Sequence, residues 1–305
     1  MKQKVILDVD TGIDDAIGIV LASSYDNFDI LAISCCYGNS PVSFTTQNTL
    51  DVVNLINRTD IPVLEGEDNP LIMKRDIFVS AHGKSGMGDY EFPPNKVGKV
   101  RDNAMEYLRD TILASKKKVS IVITGPCTNI AKLIYIYPKV KKKIKKIVIS
   151  GGLLNDNKRK PYIGFNIAQD PYATELIFNS GVKTIICPSD FGHQAFLDLD
   201  DQEKIASFNN TGKVFKEIFK SYKDRHIPAG LAATHDACAI ACCMEPKLFK
   251  FQKRYVYLRK VRAAGKSVID FDAKLKKRHI KTKVAYQISV EKMKQRIFDA
   301  YKKMP

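Results

Sequence analysis

Near its start the chain reads Val5-Ile6-Leu7-Asp8-Val9-Asp10-Thr11-Gly12-Ile13-Asp14-Asp15-Ala16. The apolar residues predict a buried strand, and the polar residues after them predict a loop and the start of a helix. A carboxylate suits the first turn of a helix, which explains Asp14 or Asp15 but not Asp10. At the end of a buried strand these like charges would repel one another unless a cation joined them. An oxygen-only cluster of this kind favours a hard cation, Ca²⁺ or Mg²⁺, over zinc.

Apolar runs and helical patterns continue to alternate along the chain. The runs are rich in Ile and Val and lack in–out alternation, as expected of parallel strands buried on both faces, and they cover residues 5–9, 30–36, 119–124, 147–150 and 182–187. The helical patterns between them cover residues 14–24, 45–57, 103–115 and 171–179. We therefore predict an α/β fold, a single-domain open, mainly parallel, doubly wound sheet flanked by helices. No linker divides the chain, so residues 1–305 are expected to form one domain.

Polar residues stand at the ends of four of the predicted strands. They are Asp10, Asn39, Thr124-Gly125 and Gly151-Gly152. In an open α/β sheet the carboxyl ends of parallel strands share one edge, and ligands bind at that edge. We therefore expect these residues to line a single binding site.

The chain of 305 residues has a formal net charge of +16, which raises the question of a nucleic-acid partner. Much of the excess lies in lysine runs, including Lys139-Val140-Lys141-Lys142-Lys143-Ile144-Lys145-Lys146. This run leads into an apolar strand, and we interpret it as a solvated connection between a helix and a strand. No helix-turn-helix, zinc-finger or RNP-type aromatic pattern accompanies it, so specific nucleic-acid binding is not expected.

Location and redox state follow from two further features. The chain leaves no room for a signal peptide before the first strand and has no uncharged apolar stretch long enough to span a bilayer. We expect a cytoplasmic protein with no membrane partner. The seven cysteines make no zinc-type spacing, and we interpret them as buried, reduced thiols.

Further blocks follow the D-x-D-x-G-x-D-D pattern of residues 8–15 in order. They include Tyr37-Gly38-Asn39, His82-Gly83, Thr124-Gly125-Pro126-Cys127-Thr128-Asn129, Phe165-Asn166-Ile167-Ala168-Gln169-Asp170-Pro171, His235-Asp236 and Gly265-Lys266-Ser267-Val268-Ile269-Asp270. In order and spacing, these blocks resemble the inosine–uridine-preferring nucleoside hydrolase family. The resemblance implies a nucleoside hydrolase-like fold and hydrolysis of the N-glycosidic bond of ribonucleosides, which gives ribose and free base.

The resemblance also implies a metal centre and two catalytic residues. Ca²⁺, expected in preference to Mg²⁺, would be held by Asp10, Asp15, Asp236 and the main-chain carbonyl of Thr124. The metal lowers the pKa of a bound water, Asp10 takes its proton as general base, and His235 protonates the departing base. A structural role for His235 is the alternative.

Substrate contacts are implied in the same way. Asp14, Asn39 and Asn166 match residues that hold the 2′- and 3′-hydroxyls of the ribose. His82 borders the ribose or serves the loop structurally. Tyr222 and His226 are expected to face the site without an assigned role in the chemistry. The family resemblance further implies a homodimer or homotetramer.

One position departs from the family pattern. The family commonly has a glutamate before Phe-Asn that holds the 5′-hydroxyl, and this chain has Gly164 there. Its loop also contains Lys158-Arg159-Lys160, which leaves open a substrate with a 5′-phosphate, a nucleotide rather than a nucleoside.

Two further alternatives remain open at this point. Haloacid-dehalogenase-type phosphatases also place two aspartates after an apolar strand, although in a D-x-D-G-T order that differs from Asp8-Val9-Asp10-Thr11-Gly12. A non-catalytic nucleoside- or sugar-binding protein of the same fold would keep the site without the reaction. The sequence does not distinguish purine from pyrimidine substrates.

Overall fold

The computed structural model describes residues 2–72, 81–88, 90–94, 103–152, 164–223, 228–261, 266–270 and 280–305. Within these ranges the chain forms nine strands: β1 Gln3–Val9, β2 Phe28–Cys35, β3 Val63–Glu65, β4 Val119–Ile123, β5 Ile144–Ser150, β6 Thr184–Cys187, β7 Phe249–Val261, β8 Lys266–Asp270 and β9 Ile280–Ile288. The α-helices of the same ranges are α1 Ile13–Ser23, α2 Val42–Leu55, α3 Ala104–Ala114, α4 Thr128–Ile136, α5 Phe165–Gln169, α6 Pro171–Asn179, α7 Asp190–Gln194, α8 Leu199–Ala206, α9 Asn210–Phe219, α10 His235–Met244 and α11 Val290–Lys302. Short 3₁₀ turns cover Pro138–Lys143 and Pro246–Leu248.

The strands form one sheet in the order β3-β2-β1-β4-β5-β6-β9-β7-β8. Neighbours from β3 to β9 are parallel, whereas β7 is antiparallel to both β9 and β8. The predicted open, mainly parallel, doubly wound sheet is therefore confirmed. The order 3-2-1-4-5-6 reverses direction between β1 and β4, and in such sheets a crevice opens at that switch point.

Apolar side chains fill the space on both faces of the sheet. Alternate residues of β1 divide between the two layers, with Val5, Leu7 and Val9 on the side of α1 and α10, and Ile6 on the side of α3 and α4. Because both faces are covered, the strands carry no polar alternation, which is why they appear as continuous apolar runs in the sequence.

The structure also gives the state of the cysteines and the apolar character of the helices. All seven cysteines are unpaired and buried, as predicted. Among the described residues, no helix has both the length and the apolar character needed to cross a bilayer.

Candidate active site

A group of polar side chains lies at the carboxyl edge of the sheet, at the switch between β1 and β4. Asp10 follows β1 directly, and Thr124 follows β4 directly. The backbone N–H of Thr124 donates to the carbonyl of Asp8 at 2.8 Å, which holds the two strand ends together. The sequence prediction that strand-end residues meet at one edge is confirmed by the contacts described next.

Asn39 links the loop after β2 to the end of β1. Its backbone N–H donates to Oδ2 of Asp10 at 2.8 Å, and its side-chain amide donates to the Asp10 carbonyl at 3.1 Å. The same amide lies 3.4 Å from Oδ2 of Asp15. One side chain therefore contacts two of the predicted metal ligands.

Asp15 stands in the first turn of α1 and is held by donors on three sides. The Thr124 hydroxyl donates to its Oδ1 at 2.6 Å, and the Gly12 N–H donates to its Oδ2 at 3.0 Å. The contact with Gly12 also satisfies a backbone donor at the helix start, which helps to fix the helix at this residue.

Asp236 joins the group from α10, whose amino-terminal end lies beside that of α1. Carboxylate oxygens of Asp14, Asp15 and Asp236 all lie within 4.8 Å of one another, and all three residues are buried. The positive ends of two helix dipoles offset part of this charge. The compact triad contains Asp14 where the family resemblance implies Asp10, and Asp10 is joined to it through Asn39.

Burial and mutual repulsion disfavour the charged forms of Asp10, Asp15 and Asp236. Burial raises the pKa of Asp15 to about 7, and the neighbouring charge of Asp14 adds to the rise. Burial, followed by the charges of the other aspartates, holds the pKa of both Asp10 and Asp236 well above the usual range. Among the described residues, no lysine or arginine forms an ion pair with any member of the group.

One oxygen of Asp10 is suited to ligate a cation. Oδ1 of Asp10 is buried and has no hydrogen-bond partner among the described groups. An unpartnered carboxylate oxygen beside three clustered carboxylates fits a hard cation, which prefers oxygen ligands and a high coordination number. The residues present therefore fit a Ca²⁺- or Mg²⁺-type ion, and the buried triad could bind one.

The carbonyl of Thr124 and the amide of Asn166 are in contact. Nδ2 of Asn166, in the short helix α5, donates to the Thr124 oxygen, and it also lies 3.5 Å from the Ser150 carbonyl. A carbonyl oxygen has two lone pairs, so Thr124 can accept from Asn166 and still ligate a cation. These contacts bring Asn166 to the same edge as Asp10.

His235, the residue before Asp236, is held by the turn that forms α7. Its Nδ1 lies 2.7 Å from the carbonyl oxygen of Ser189, which can only accept, so Nδ1 carries the hydrogen. The ring of His193 packs edge-on at a centroid distance of 4.5 Å. A Cβ atom at Gly192 would lie 2.2 Å from His235 Nδ1 and 2.5 Å from its backbone N, so this close approach requires glycine.

His82 contacts α1 rather than standing apart in a loop. Its Nδ1 accepts the Ile13 N–H at 3.0 Å, and its Nε2 lies 3.5 Å from Oδ1 of Asp14. The neutral ring therefore carries its hydrogen on Nε2, directed at Asp14. Tyr222, expected to face the site, packs against the His82 ring at a centroid distance of 5.2 Å.

The backbone at Gly164 leaves no room for a side chain. Its φ is +77°, and a Cβ atom there would lie 2.7 Å from the backbone N of Gly152. The glycine that departs from the family pattern is thus required by the local conformation.

The predictions on Lys158-Arg159-Lys160 and His226 fall outside the described residues. The contacts of His235 with His193, Ser189 and Gly192 were not predicted from the sequence. No local pattern marks them, because their partner lies more than forty residues further along the chain.

Comparisons with known proteins agree with this geometry. The pattern of the family described as inosine-uridine preferring nucleoside hydrolase matches residues 5–295. The chain is 32% identical over 303 residues to a non-specific ribonucleoside hydrolase, RihC, of Salmonella typhi, covering 99% of this chain and 98% of the relative. It is 33% identical over 293 residues to RihC of Klebsiella pneumoniae, covering 95% of each.

Solved structures of nucleoside hydrolases have the same fold as this chain. The fold superposes with a TM-score of 0.87 on a plant nucleoside hydrolase, PpNRh1, at 26% identity and 99% coverage of both chains. It superposes with the same score on a purine-preferring ribonucleoside hydrolase from Gardnerella vaginalis, at 25% identity and 98% coverage of both.

The fold and the matches define an N-glycosyl hydrolase of the nucleoside hydrolase class, with ribonucleoside hydrolase activity. The chain belongs to the inosine-uridine preferring nucleoside hydrolase family. The phosphatase alternative does not account for a family match that covers residues 5–295.

Proposed function

We propose that this enzyme hydrolyses free ribonucleosides with Asp10 as general base and His235 as general acid, at a Ca²⁺ centre formed by Asp10, Asp15, Asp236 and the Thr124 carbonyl. The observation that carries the proposal is the set of buried carboxylates without a lysine or arginine partner among the described residues, together with the unpartnered Oδ1 of Asp10.

A bound divalent cation would supply Lewis acidity that lowers the pKa of a ligated water. It would also relieve the repulsion that raises the carboxylate pKa values. Asp10 would then be ionised, and its carboxylate, placed beside the ligated water, could take a proton from that water.

The ribose is held by Asp14, Asn39 and Asn166, which lie around Asp10 and contact neighbouring members of the same edge. His82 acts on the substrate through Asp14, because its Nε2–H is directed at the Asp14 carboxylate. When the enzyme holds the sugar beside the water, the two reactants no longer have to meet by diffusion. This positioning can lower the activation barrier of hydrolysis by several kcal/mol.

These groups accept and donate the two protons that the hydrolysis transfers. The water oxygen bonds to the anomeric carbon as the N-glycosidic bond breaks through an oxocarbenium-like state, and the water proton passes to Asp10. The bonding pair leaves with the base, which takes a proton from Nε2 of His235. The Ser189 carbonyl supports the positive ring by accepting from Nδ1.

The proposal also includes the identity of the ion, the domain organisation, the oligomeric state and the location. We expect Ca²⁺ rather than Mg²⁺, a single catalytic domain over residues 1–305, a homodimer or homotetramer, and a cytoplasmic location.

Calorimetric titration tests the ion and its ligands together. Ca²⁺ should bind the chelator-treated enzyme more tightly than Mg²⁺, and Asp15→Asn and Asp236→Asn should weaken binding at least about tenfold, as for loss of a charged ligand. The exposed Asp299→Asn serves as a matched control and should bind like the wild type. Unchanged Ca²⁺ affinity in both site variants would contradict the proposed centre.

A further inference from the structure

Three basic segments that lie apart in the sequence meet at the edge of the sheet opposite the active site. They are residues 115–118 before β4, 137–146, which run into β5, and 180–183 before β6, and they carry three, six and one lysine respectively. Because β4, β5 and β6 are parallel neighbours, their starts lie side by side at a spacing of about 4.8 Å per strand. We call this surface the lysine face.

Contacts join the segments in pairs. Nζ of Lys143 donates to the Ser115 carbonyl at 2.9 Å, and the N–H of Ile147, directly after the second segment, donates to the Lys183 carbonyl at 2.9 Å. Nζ of Lys145 donates to Oε1 of Gln3 at 3.1 Å. Lys146 donates to the carbonyl of Cys243, in the last turn of α10, at 2.8 Å. These three lysines use neutral acceptors, so their charge is not cancelled.

The lysine face carries ten lysines and no acidic residue in its three segments. Three carboxylates elsewhere near this edge have cationic partners: Asp26 is paired with Lys303, Asp29 with Lys4 and Asp60 with Arg58. Glu106 accepts a hydrogen bond from the Tyr137 hydroxyl of the second segment. The excess of ten lysines over this carboxylate creates a positive potential that attracts polyanions.

Two exposed side chains at the end of α4 adjoin the lysine face. Tyr135 is 75% exposed and Ile136 is 47% exposed, directly before the 137–146 segment. An exposed aromatic ring beside lysines is the combination with which proteins bind single-stranded nucleic acid, in which bases stack while cations contact phosphates.

We propose that the lysine face binds the phosphate backbone of single-stranded RNA without sequence preference, with Tyr135 as a stacking platform. Each lysine run taken alone is an ordinary solvated connection. Their convergence by the parallel sheet is what produces a surface with the charge density of a polyanion site. The surface lies at the opposite edge from Asp10, so RNA binding and catalysis are separable.

Fluorescence anisotropy of a labelled oligouridylate with the full-length enzyme, over a series of salt concentrations, tests this surface. The wild type should bind with a dissociation constant of about 10⁻⁴–10⁻⁶ M near physiological salt, the range of sequence-independent binding. The triple variant Lys118→Gln, Lys142→Gln, Lys183→Gln removes one exposed lysine from each segment. It should weaken binding about tenfold or more, and flatten the log–log salt slope by about 0.7 for each lost phosphate contact.

A variant with the same change in charge serves as control: Lys204→Gln, Lys213→Gln, Lys292→Gln, on α8, α9 and α11. It should retain RNA binding close to the wild type, and Tyr135→Ala should weaken binding without changing the salt slope. All variants should hydrolyse ribonucleosides at the wild-type rate. Equal loss in both triple variants would overturn the proposal, because only net charge would then matter. Binding to anionic lipid vesicles without binding to RNA would overturn it as well.

Discussion

The backbone N–H of Asn39 donates to Oδ2 of Asp10 at 2.8 Å, while the other oxygen of that carboxylate has no donor among the residues that the structure describes. One oxygen is therefore fixed in direction, and the other is available for chemistry. The Asn39 side chain extends the same fixation to Asp15. This asymmetry is what a general base at a metal centre needs, and it makes Asn39 a residue to test.

Replacing Asn39 by Ala should lower kcat/KM for ribonucleosides about 100-fold, since a small misplacement at the reacting centre costs that much. Asn39→Asp should be worse, because it loses the amide donor and adds a carboxylate to the buried group. Steady-state kinetics on uridine and inosine measure both. Asn54→Ala, on an exposed position of α2, is the control. Wild-type kinetics for Asn39→Ala would contradict the assignment.

Metal removal should reverse the usual effect of acid on stability. The pKa of Asp15 and of Asp8 is raised by burial to about 7, whereas an unfolded aspartate titrates near 3.9. The metal-free folded state therefore binds more protons than the unfolded state between about pH 4 and pH 7. This contribution to stability is fully present below that window and is lost as the pH rises through it.

The expected result is a melting temperature of the chelated enzyme that falls from about pH 5 to pH 7, with Ca²⁺ restoring more at the higher pH. Scanning calorimetry with and without chelator measures it. Chelated Asp15→Asn should fall less over the same interval, since it lacks one of the titrating groups. A Ca²⁺-induced shift that is the same at both pH values would count against a carboxylate centre.

Gly192 should control proton delivery to the leaving base. In Gly192→Ala the new methyl group would displace His235, since it would lie 2.2 Å from Nδ1. Loss of general acid catalysis should lower kcat for inosine by about 10²–10⁴-fold. 4-Nitrophenyl riboside has a leaving group that needs no proton, and its hydrolysis should fall far less.

The comparison separates a role in proton delivery from simple damage to the fold. His235→Asn should give the same split between the two substrates as Gly192→Ala. Equal losses on both substrates would mean that Gly192 matters only for folding or for the metal centre.

Gly164 decides how the 5′ end of the substrate is met. Restoring the family glutamate with Gly164→Glu should not improve KM for nucleosides, because a side chain at φ +77° meets the Gly152 backbone. It should instead destabilise the enzyme by roughly 1–3 kcal/mol, the usual cost of such strain. Thermal unfolding with Gly164→Ala as the comparison separates strain from charge.

We expect free uridine and inosine to be hydrolysed faster than their 5′-monophosphates, and the reverse order would identify a nucleotide substrate.

Local sequence pattern predicted the parts of the fold that depend on local physics. Buried parallel strands need continuous apolar residues, so β1, β2, β4, β5 and β6 were placed within a few residues of their observed bounds. The strands β7, β8 and β9 were not predicted, since lysines and arginines interrupt their apolar residues, and the three-residue β3 was not predicted either.

The candidate site was predictable to a similar extent. Aspartates that crowd a strand–helix junction are visible in the sequence, and the strand ends that carry Asn39 and Thr124 follow from the parallel sheet. The contacts that position His235 were not predictable, because Ser189 and Gly192 reach it only through the packing of α7 against α10. The lysine face was not predictable either, because its segments come together only through the order of the strands in the sheet.

Chromatographic detection of free base shows whether this metal centre and Asp10 carry the hydrolysis of nucleosides. The enzyme is incubated with a mixed panel of nucleosides and 5′-nucleotides, with and without chelator, beside Asp10→Asn. We expect release of free base from nucleosides by the wild type, loss of release with chelator, its return with Ca²⁺, and a fall of about 10²–10⁴-fold in Asp10→Asn. Undiminished release by Asp10→Asn, or by enzyme stripped of metal, would contradict this role of the metal centre and Asp10.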